Sequence, residues 1–207
     1  MALRIFPRTA GAWTRLCLSV ALLLIVGRTF HADAVVGSWF YPKQEGDILL
    51  QSLPHGELVD AWSHCGVLVQ RDGRWVVVEA LGEVRETPLK DWIVRSRGGH
   101  FAAYRVKGLS DGDRDHLKAS LAKYRGRPYD FGYAPGDEAI YCSELAFKAY
   151  DAALQIKLGE WQKLGELDWK PWEEFIRRME GTKLPLDRPM ITPDALTHAE
   201  RIERVYP

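Results

Sequence analysis

The chain has few cysteines, no long apolar segment and no excess of charge of either sign. Its 207 residues include three cysteines, 28 lysines and arginines, and 28 aspartates and glutamates. The leucine-rich run at 16–26 is too short to cross a bilayer comfortably at about 1.5 Å of rise per residue. The balanced charge lacks the basic footprint that neutralises a phosphate backbone. We therefore expect no nucleic-acid partner.

Several catalytic signatures are also absent. The chain has neither the Gly-x-Ser-x-Gly elbow of many serine hydrolases nor the His-Glu-x-x-His pattern of zinc peptidases. His55, His100, His116 and His198 show no metal-ligand spacing with one another or with a cysteine. We therefore predict no metal and no other cofactor.

The N-terminal segment has the layout of a secretory signal. Three arginines precede the apolar run, and the small residues of 32–34 suit a cleavage site. We predict that residues 1–34 are a signal peptide and that residues 35–207 form a single exported domain, periplasmic or extracellular. An uncleaved segment would instead serve as an N-terminal membrane anchor.

Alternating apolar residues and turn signals predict a small antiparallel sheet. Four segments read as strands: 46–51, 62–70, 75–80 and 101–106. The Asp72-Gly73 pair lies between the second and third segments. It predicts a hairpin, because an Asp-Gly pair between apolar runs favours a tight two-residue turn.

Two helices are predicted after the strands. Ser110, with Asp113 three residues later, predicts an N-cap for a helix that ends before Gly126. Cys142 opens a second helix, which runs to about residue 154 with no glycine or proline inside it. We expect segment 161–179, which mixes tryptophans with charges, to be irregular with short helices. The whole pattern predicts an α+β fold.

Cys142 stands where a helix favours a reactive thiolate. A cysteine in the first turn lies at the positive end of the helix dipole, which stabilises thiolate over thiol. Such a nucleophile needs a histidine partner and a third group that orients the imidazole. His64 and Glu79 lie on the two arms of the predicted hairpin, where opposed side chains approach within about 5 Å between Cβ atoms. These three residues are therefore candidates for nucleophile, general base and orienting group.

Ordinary structural roles compete with this interpretation. Taken alone, Cys142 would be a buried thiol, His64 a core histidine and Glu79 a rim carboxylate. In an oxidising compartment Cys65 and Cys142 favour a disulfide, and the competing hypothesis is a non-catalytic exported binding protein with that bond. Because successive strand side chains point to opposite faces, we expect Cys65 to point away from Cys142 if His64 faces it.

Several aromatic residues are candidates for substrate or surface contacts. Tyr129 and Tyr141 precede the nucleophile, and a tyrosine hydroxyl could donate to an oxyanion beside the Cys142 backbone N–H. Each is equally typical of a packing aromatic. The tryptophans and basic residues of 161–179 suit peripheral contact with a membrane or cell wall, although ordinary packing is the simpler interpretation.

The spaced motifs resemble the NlpC-type branch of the papain-like cysteine hydrolases, in rotated order. The matching segments are Gly46-Asp47, Ser63-His64-Cys65-Gly66, Val78-Glu79-Ala80 and Tyr141-Cys142-Ser143-Glu144-Leu145. The usual order places the cysteine helix first, whereas here it comes last, which resembles the circularly permuted, YiiX-like group. Shorter matches are Thr87-Pro88-Leu89, Arg125-Gly126-Arg127-Pro128-Tyr129-Asp130 and Ile191-Thr192-Pro193-Asp194.

This resemblance implies a permuted papain-like fold, with a small antiparallel sheet packed against helices and the nucleophile at a helix N-terminus. It implies Cys142 as nucleophile, His64 as base and Glu79 as the third member of a triad. The implied reaction is hydrolysis of an amide or ester in a small-molecule, cell-wall peptide or lipid-like acyl substrate, without a cofactor. Members most often carry an aliphatic or small residue after this histidine, where this chain has Cys65.

Overall fold

The computed structural model describes residues 40–53, 62–133, 136–181 and 183–207. The predicted signal peptide and His55 lie outside the described residues. Within these ranges, no helix is long and apolar enough to span a membrane.

The described residues form eight strands and four α-helices. The strands are β1 Ile48–Gln51, β2 His64–Arg71, β3 Arg74–Leu81, β4 Glu83–Pro88, β5 Phe101–Val106, β6 Gln162–Lys163, β7 Pro189–Met190 and β8 Ile202–Tyr206. The helices are α1 Leu89–Arg95, α2 Asp111–Ala122, α3 Cys142–Leu154 and α4 Glu173–Glu180. Four short 3-10 helices lie between them, at Arg97–Gly99, Leu164–Glu166, Lys170–Trp172 and Ala195–His198.

Six strands form one antiparallel sheet in the order β4-β3-β2-β1-β5-β8, and β6 pairs separately with β7. The two faces of this sheet bury different clusters. Cys65, Val67 and Val69 of β2 pack in the cluster that contains the apolar residues of α2 and α3. Leu68, between them, packs in the second cluster with Trp92 of α1. The period-2 alternation of a strand thus supplies two cores, one for α2 and α3 and one for α1.

The hairpin between β2 and β3 is confirmed in detail. Arg71 pairs with Arg74, which leaves Asp72 and Gly73 as a two-residue loop. Both loop residues have positive φ, 50° and 74° respectively. This backbone is the one that tight antiparallel hairpins favour and that Asp-Gly adopts at low cost.

The two predicted helices are also confirmed, whereas several elements were missed, among them the two-residue strands β6 and β7. Ser110 Oγ accepts from the Asp113 backbone and the Asp113 carboxylate accepts from the Ser110 backbone, which caps α2 as expected. Strand β4, helix α1 and strand β8 were not predicted. Both strands lie at sheet edges and carry charged outward-facing residues, so their apolar period is weak. Helix α1 has only seven residues and shows less than two full apolar repeats.

Gly66 lies where β2 must approach β3 closely, on the face that carries His64. A Cβ at this position would lie 2.4 Å from Val77 Cγ1, 2.9 Å from the Val78 carbonyl oxygen and 3.3 Å from Glu79 Cβ. Glycine at this point therefore leaves the space through which His64 reaches Glu79. The His-x-Gly spacing in the sequence has this steric cause.

We predict that Gly66→Ala destabilises the protein by about 1–3 kcal/mol, because the methyl group must displace the Val78 backbone. Urea unfolding followed by circular dichroism measures the change. Gly112→Ala, in the first turn of α2, is the matched control, since its nearest neighbour would be 3.8 Å away and alanine favours a helix. An equal loss of stability in both variants would contradict the steric explanation.

Candidate active site

His64 and Glu79 contact each other in the protein interior. The β2–β3 register pairs Val67 with Val78, so continuation of the ladder places His64 diagonally across from Glu79 on one face. His64 Nε2 lies 2.6 Å from Glu79 Oε2. Both side chains are buried. The sequence predicted the contact between the two arms, and the structure shows that it is diagonal, across Gly66.

The Glu79 carboxylate fixes the orientation of the imidazole. With Nε2–H donating to Glu79, the other ring nitrogen, Nδ1, faces away from the carboxylate and is the one left for the sulfur. His64 also lies close enough to Cys142 for each side chain to shift the pKa of the other through charge and hydrogen bonding. Cys142, His64 and Glu79 therefore form an unbroken chain of contacts.

Cys142 opens α3 and is buried, with 3% of its surface exposed. Its backbone N–H belongs to the first turn and has no acceptor within the helix. The Cys65 side chain, the His64 side chain and the Cys65 backbone lie close enough to the sulfur to lower the pKa of its thiol. These groups are placed to stabilise a thiolate at this position.

The contact between Cys65 and Cys142 corrects the expectation that Cys65 points away. Cys65 and Cys142 pack in the same cluster, and both are free thiols with no bond between them. The strand rule is obeyed, since His64 and Cys65 do leave β2 on opposite faces. The error was the assumption that one face alone can reach the sulfur, because Cys142 lies at the end of β2, where both neighbours contact it. The disulfide of the competing hypothesis is not present.

The electrostatics of the site favour an ion pair. Hydrogen bonding from Cys65 and the charge and hydrogen bond of His64 outweigh burial, so the pKa of the Cys142 thiol lies well below its usual value. Burial lowers the pKa of His64, but the Cys142 charge and hydrogen bond and the contact with Glu79 raise it to about 9. At neutral pH these shifts favour a thiolate beside an imidazolium. Burial and the Cys142 charge raise the pKa of Cys65, which keeps its S–H as a donor.

Glu79 remains ionised although it is fully buried. Burial acts to raise its pKa, but the hydrogen bond and charge of His64 and hydrogen bonds from Arg95 and Thr87 bring it to about 2. Thr87 Oγ1 donates to Glu79 Oε1 at 2.6 Å, and Arg95 Nη2 donates to Oε2 at 2.5 Å. Neither of these two partners was predicted from the sequence. The Thr87-Pro88-Leu89 match was the available signal for Thr87, whereas Arg95 lies on the unpredicted α1.

The C-terminal motif holds the start of α3. Ser143 Oγ donates to the Ile191 carbonyl oxygen at 2.8 Å, and the Ile191 N–H donates to the Tyr141 hydroxyl at 3.0 Å. The residues on both sides of Cys142 are thereby tied to the backbone of one residue, Ile191. This gives the Ile191-Thr192-Pro193-Asp194 match a structural role, which is to position the nucleophile.

The two candidate tyrosines have different surroundings. Tyr141 is buried and its hydroxyl already accepts from Ile191. The Tyr129 hydroxyl hydrogen-bonds Tyr133, and the Cys142 charge acts on the pKa of both rings, which burial raises above the usual value. Cys142 is the strongest charge acting on Tyr129, whereas Glu144 acts more strongly than Cys142 on Tyr141. Phe131, stacked obliquely 4.9 Å from Tyr129, is 57% exposed.

The remaining motif and the first-turn carboxylate serve the structure around the site. Asp47 is buried and accepts from Arg105 Nε at 2.7 Å and Nη2 at 2.8 Å, which joins β1 to β5. Glu144 pairs with Lys148 one turn further along α3, at 2.7 Å. The Lys148 ammonium thereby offsets the negative charge of Glu144 near the Cys142 thiol.

A cysteine at a helix start, an imidazole on an antiparallel sheet and a carboxylate behind it define a cysteine hydrolase with a papain-like arrangement. Residues 43–206 match the model of the permuted papain-like amidase enzymes, the YaeF/YiiX or C92 family. The chain belongs to this family. The predicted fold class and the YiiX-like resemblance are confirmed.

Two relatives from Escherichia coli are similar to the chain. The YiiX protein of strain K12, described as uncharacterized, is 37% identical over 147 residues, which cover 70% of this chain and 73% of that protein. The crystal structure of YiiX from O157:H7 has a TM-score of 0.75 and 34% identity, over 79% of this chain and 98% of that one.

That crystal structure is described as one of a metalloprotein. Among the residues described for this chain, no group of three or more His, Cys, Asp or Glu side chains could hold a metal ion. The Cys142, Cys65 and His64 side chains interact with one another, and His64 also contacts Glu79. The described residues therefore do not fit a metal site there.

We predict that alkylation of Cys142 by iodoacetamide in the native protein is nearly independent of pH from about 6.5 to 8.5. An ordinary thiol, with pKa near 8.5, would react about tenfold faster per pH unit in this range. Peptide mass spectrometry quantifies the adduct, and Cys142→Ala reports the background from Cys65. A tenfold rise per pH unit in the native protein would rule out the ion pair.

Proposed function

We propose that the chain is an exported cysteine amidase in which Cys142 is the nucleophile, His64 the general acid and base, and Glu79 the orienting carboxylate. One observation carries the proposal, namely the buried chain of contacts from Cys142 through His64 to Glu79. Membership of an amidase family supports amide hydrolysis. No cofactor enters the proposed reaction.

The proposed reaction has two acyl-transfer steps. The Cys142 thiolate attacks the amide carbonyl carbon, and the His64 imidazolium donates its Nδ1 proton to the departing nitrogen, leaving an acyl-enzyme and neutral His64. His64 then takes a proton from water as the oxygen attacks the thioester. Collapse of that intermediate releases the carboxylic acid and restores the ion pair. Glu79 stays ionised and keeps the imidazole oriented throughout.

The oxyanion would be held by groups at the start of α3. The Cys142 backbone N–H is available because first-turn donors lack helical acceptors. We propose the Tyr129 hydroxyl as the second donor, because the Cys142 charge is the strongest charge acting on it, whereas the Glu144 charge acts more strongly than Cys142 on Tyr141. Tyr141 is the second candidate, since its hydroxyl accepts from the Ile191 N–H and keeps its own proton to donate.

The surroundings of the nucleophile favour a substrate with an apolar group near the scissile bond. Tyr129, Tyr133 and the exposed Phe131 form an aromatic wall, with ring centroids 4.9 and 6.5 Å from that of Tyr129. Such a wall would contact an acyl chain or an apolar peptide side chain. A lipid-like acyl amide or ester is therefore favoured over a cell-wall peptide.

Export and peripheral contact with the cell envelope complete the proposal. Export is supported by the N-terminal arginines, apolar run and small residues at 32–34. Contact with a membrane or cell wall is supported by the exposed Trp161, Phe175 and Met179 in the C-terminal part. N-terminal sequencing of the protein from a periplasmic or culture fraction should begin near Val35.

We predict that Cys142→Ala and His64→Ala each reduce kcat by at least about 10³-fold, because either change removes an essential member of the chain of contacts. His116→Ala, an exposed histidine on α2, is the matched control and should retain activity. Hydrolysis of N-acyl p-nitroanilides and p-nitrophenyl esters with chains of two to twelve carbons measures the effect. Full activity of Cys142→Ala on any substrate that the protein hydrolyses would refute the assignment.

The same substrate series distinguishes the two substrate classes. Rising kcat/KM with acyl chain length is expected from the aromatic wall. Hydrolysis confined to muramyl peptides, with no effect of chain length, would contradict the acyl preference and leave the triad assignment intact.

A further inference from the structure

Glu79 is the most heavily coordinated charge in the described residues around the site. Its side chain is 0% exposed, and a buried carboxylate is costly unless it is paired and hydrogen-bonded. Oε1 accepts from Thr87, and Arg85 Nε lies 3.6 Å from the same oxygen. Oε2 contacts both His64, at 2.6 Å, and Arg95, at 2.5 Å. Arg95 and His64 therefore share a single carboxylate oxygen.

Arg95 is held in this position from two directions. It is the last residue of α1, whose Leu89, Trp92 and Ile93 are buried against the sheet. With the Gln51 amide oriented to satisfy its neighbours, its NH₂ donates to the Trp92 carbonyl and its oxygen accepts from Arg95 Nη2 at 3.3 Å. The guanidinium is thus fixed by α1 and by β1, and only a quarter of the side chain is exposed.

The charges along the site alternate in sign. In the ion-paired form they run from the Cys142 thiolate to the His64 imidazolium, then to the Glu79 carboxylate and the Arg95 guanidinium. The total charge of this set is zero. Because arginine stays protonated at any working pH, its positive charge is a permanent part of the balance. Removing it would leave the buried part of this set with a net negative charge, since Arg85, the other arginine near Glu79, is 44% exposed.

We propose that Arg95 is a positioning residue of the active site. It acts through Glu79 to keep the His64 imidazolium correctly placed beside the Cys142 thiolate. The proposal rests on the triad proposed above. Arg95 does not contact the sulfur or the substrate carbonyl. It restrains the oxygen to which Nε2 donates, and its charge offsets one of the two anions in the set.

Arg95→Gln tests the proposal, with Arg85→Gln as the matched control. Both residues are arginines that approach Glu79, but Arg85 is 44% exposed and lies 3.6 Å from the oxygen that His64 does not use. We expect Arg95→Gln to lower kcat about 10- to 100-fold with KM nearly unchanged. The lower-pH limit of the Cys142 alkylation plateau should move up by about one pH unit, since loss of a cation disfavours the thiolate. Arg85→Gln should change each quantity less than about twofold.

A double-mutant cycle separates action through Glu79 from other effects. Glu79→Gln should impair alkylation and turnover, and adding Arg95→Gln to it should produce no further loss. Additive losses, or an Arg95→Gln variant within twofold of the parent in both readouts, would overturn the positioning role. A Glu79→Gln variant that behaves like the parent would instead overturn the triad itself.

Arg95→Lys keeps the test decisive if Arg95→Gln does not fold. Lysine retains the charge but loses the planar fork that can serve Glu79 and Gln51 together. We expect an alkylation plateau like that of the parent and a kcat between those of the parent and Arg95→Gln. A folded Arg95→Lys with a plateau displaced as far as in Glu79→Gln would contradict the proposal.

Discussion

The hydrogen bond between His64 and Glu79 is the interaction on which the site depends. It lies in the interior, so neither partner can exchange the other for water, and the carboxylate must remain charged to hold the imidazole. The surrounding structure supplies that condition. Gly66 leaves room for the contact, and Thr87 and Arg95 hold the carboxylate. The hydrogen bond and charge of His64, followed by the hydrogen bonds from Arg95 and Thr87, keep the pKa of Glu79 low despite burial.

The rotated order of the chain explains how this site is assembled. A single tight hairpin delivers His64 and Glu79 early in the sequence, whereas the nucleophile enters much later, on α3. The two parts meet because α3 packs on the sheet face that carries Cys65 and Val67. Ile191 then binds the residues on both sides of Cys142. A segment near the C-terminus thus holds the nucleophile in place. Order in the sequence is changed, but the contacts of the site do not depend on it.

The sequence predicted those parts of the fold that depend on local signals. The Asp72-Gly73 turn, the Ser110 cap and the uninterrupted helix after Cys142 each rest on residues within a few positions of one another. Arg95, which α1 brings to the site, could not be found this way. Its contact with Glu79 joins a helix to a strand sixteen residues earlier in the chain. The Cys65 contact was misjudged for a related reason. Alternation along β2 says which face a side chain leaves from, but it does not say that the helix start lies at the end of that strand, within reach of both faces.

Side-chain ¹⁵N chemical shifts of His64 test the central claim most directly, because they report the protonation of each ring nitrogen. The account predicts that both nitrogens are protonated at pH 7.5, that they titrate near pH 9, and that Cys142→Ser, which removes the thiolate, lowers this pKa. A neutral His64 ring at pH 7.5 in the unmodified protein, with the same titration in Cys142→Ser, would show that Cys142 and His64 do not form an ion pair and would contradict the account.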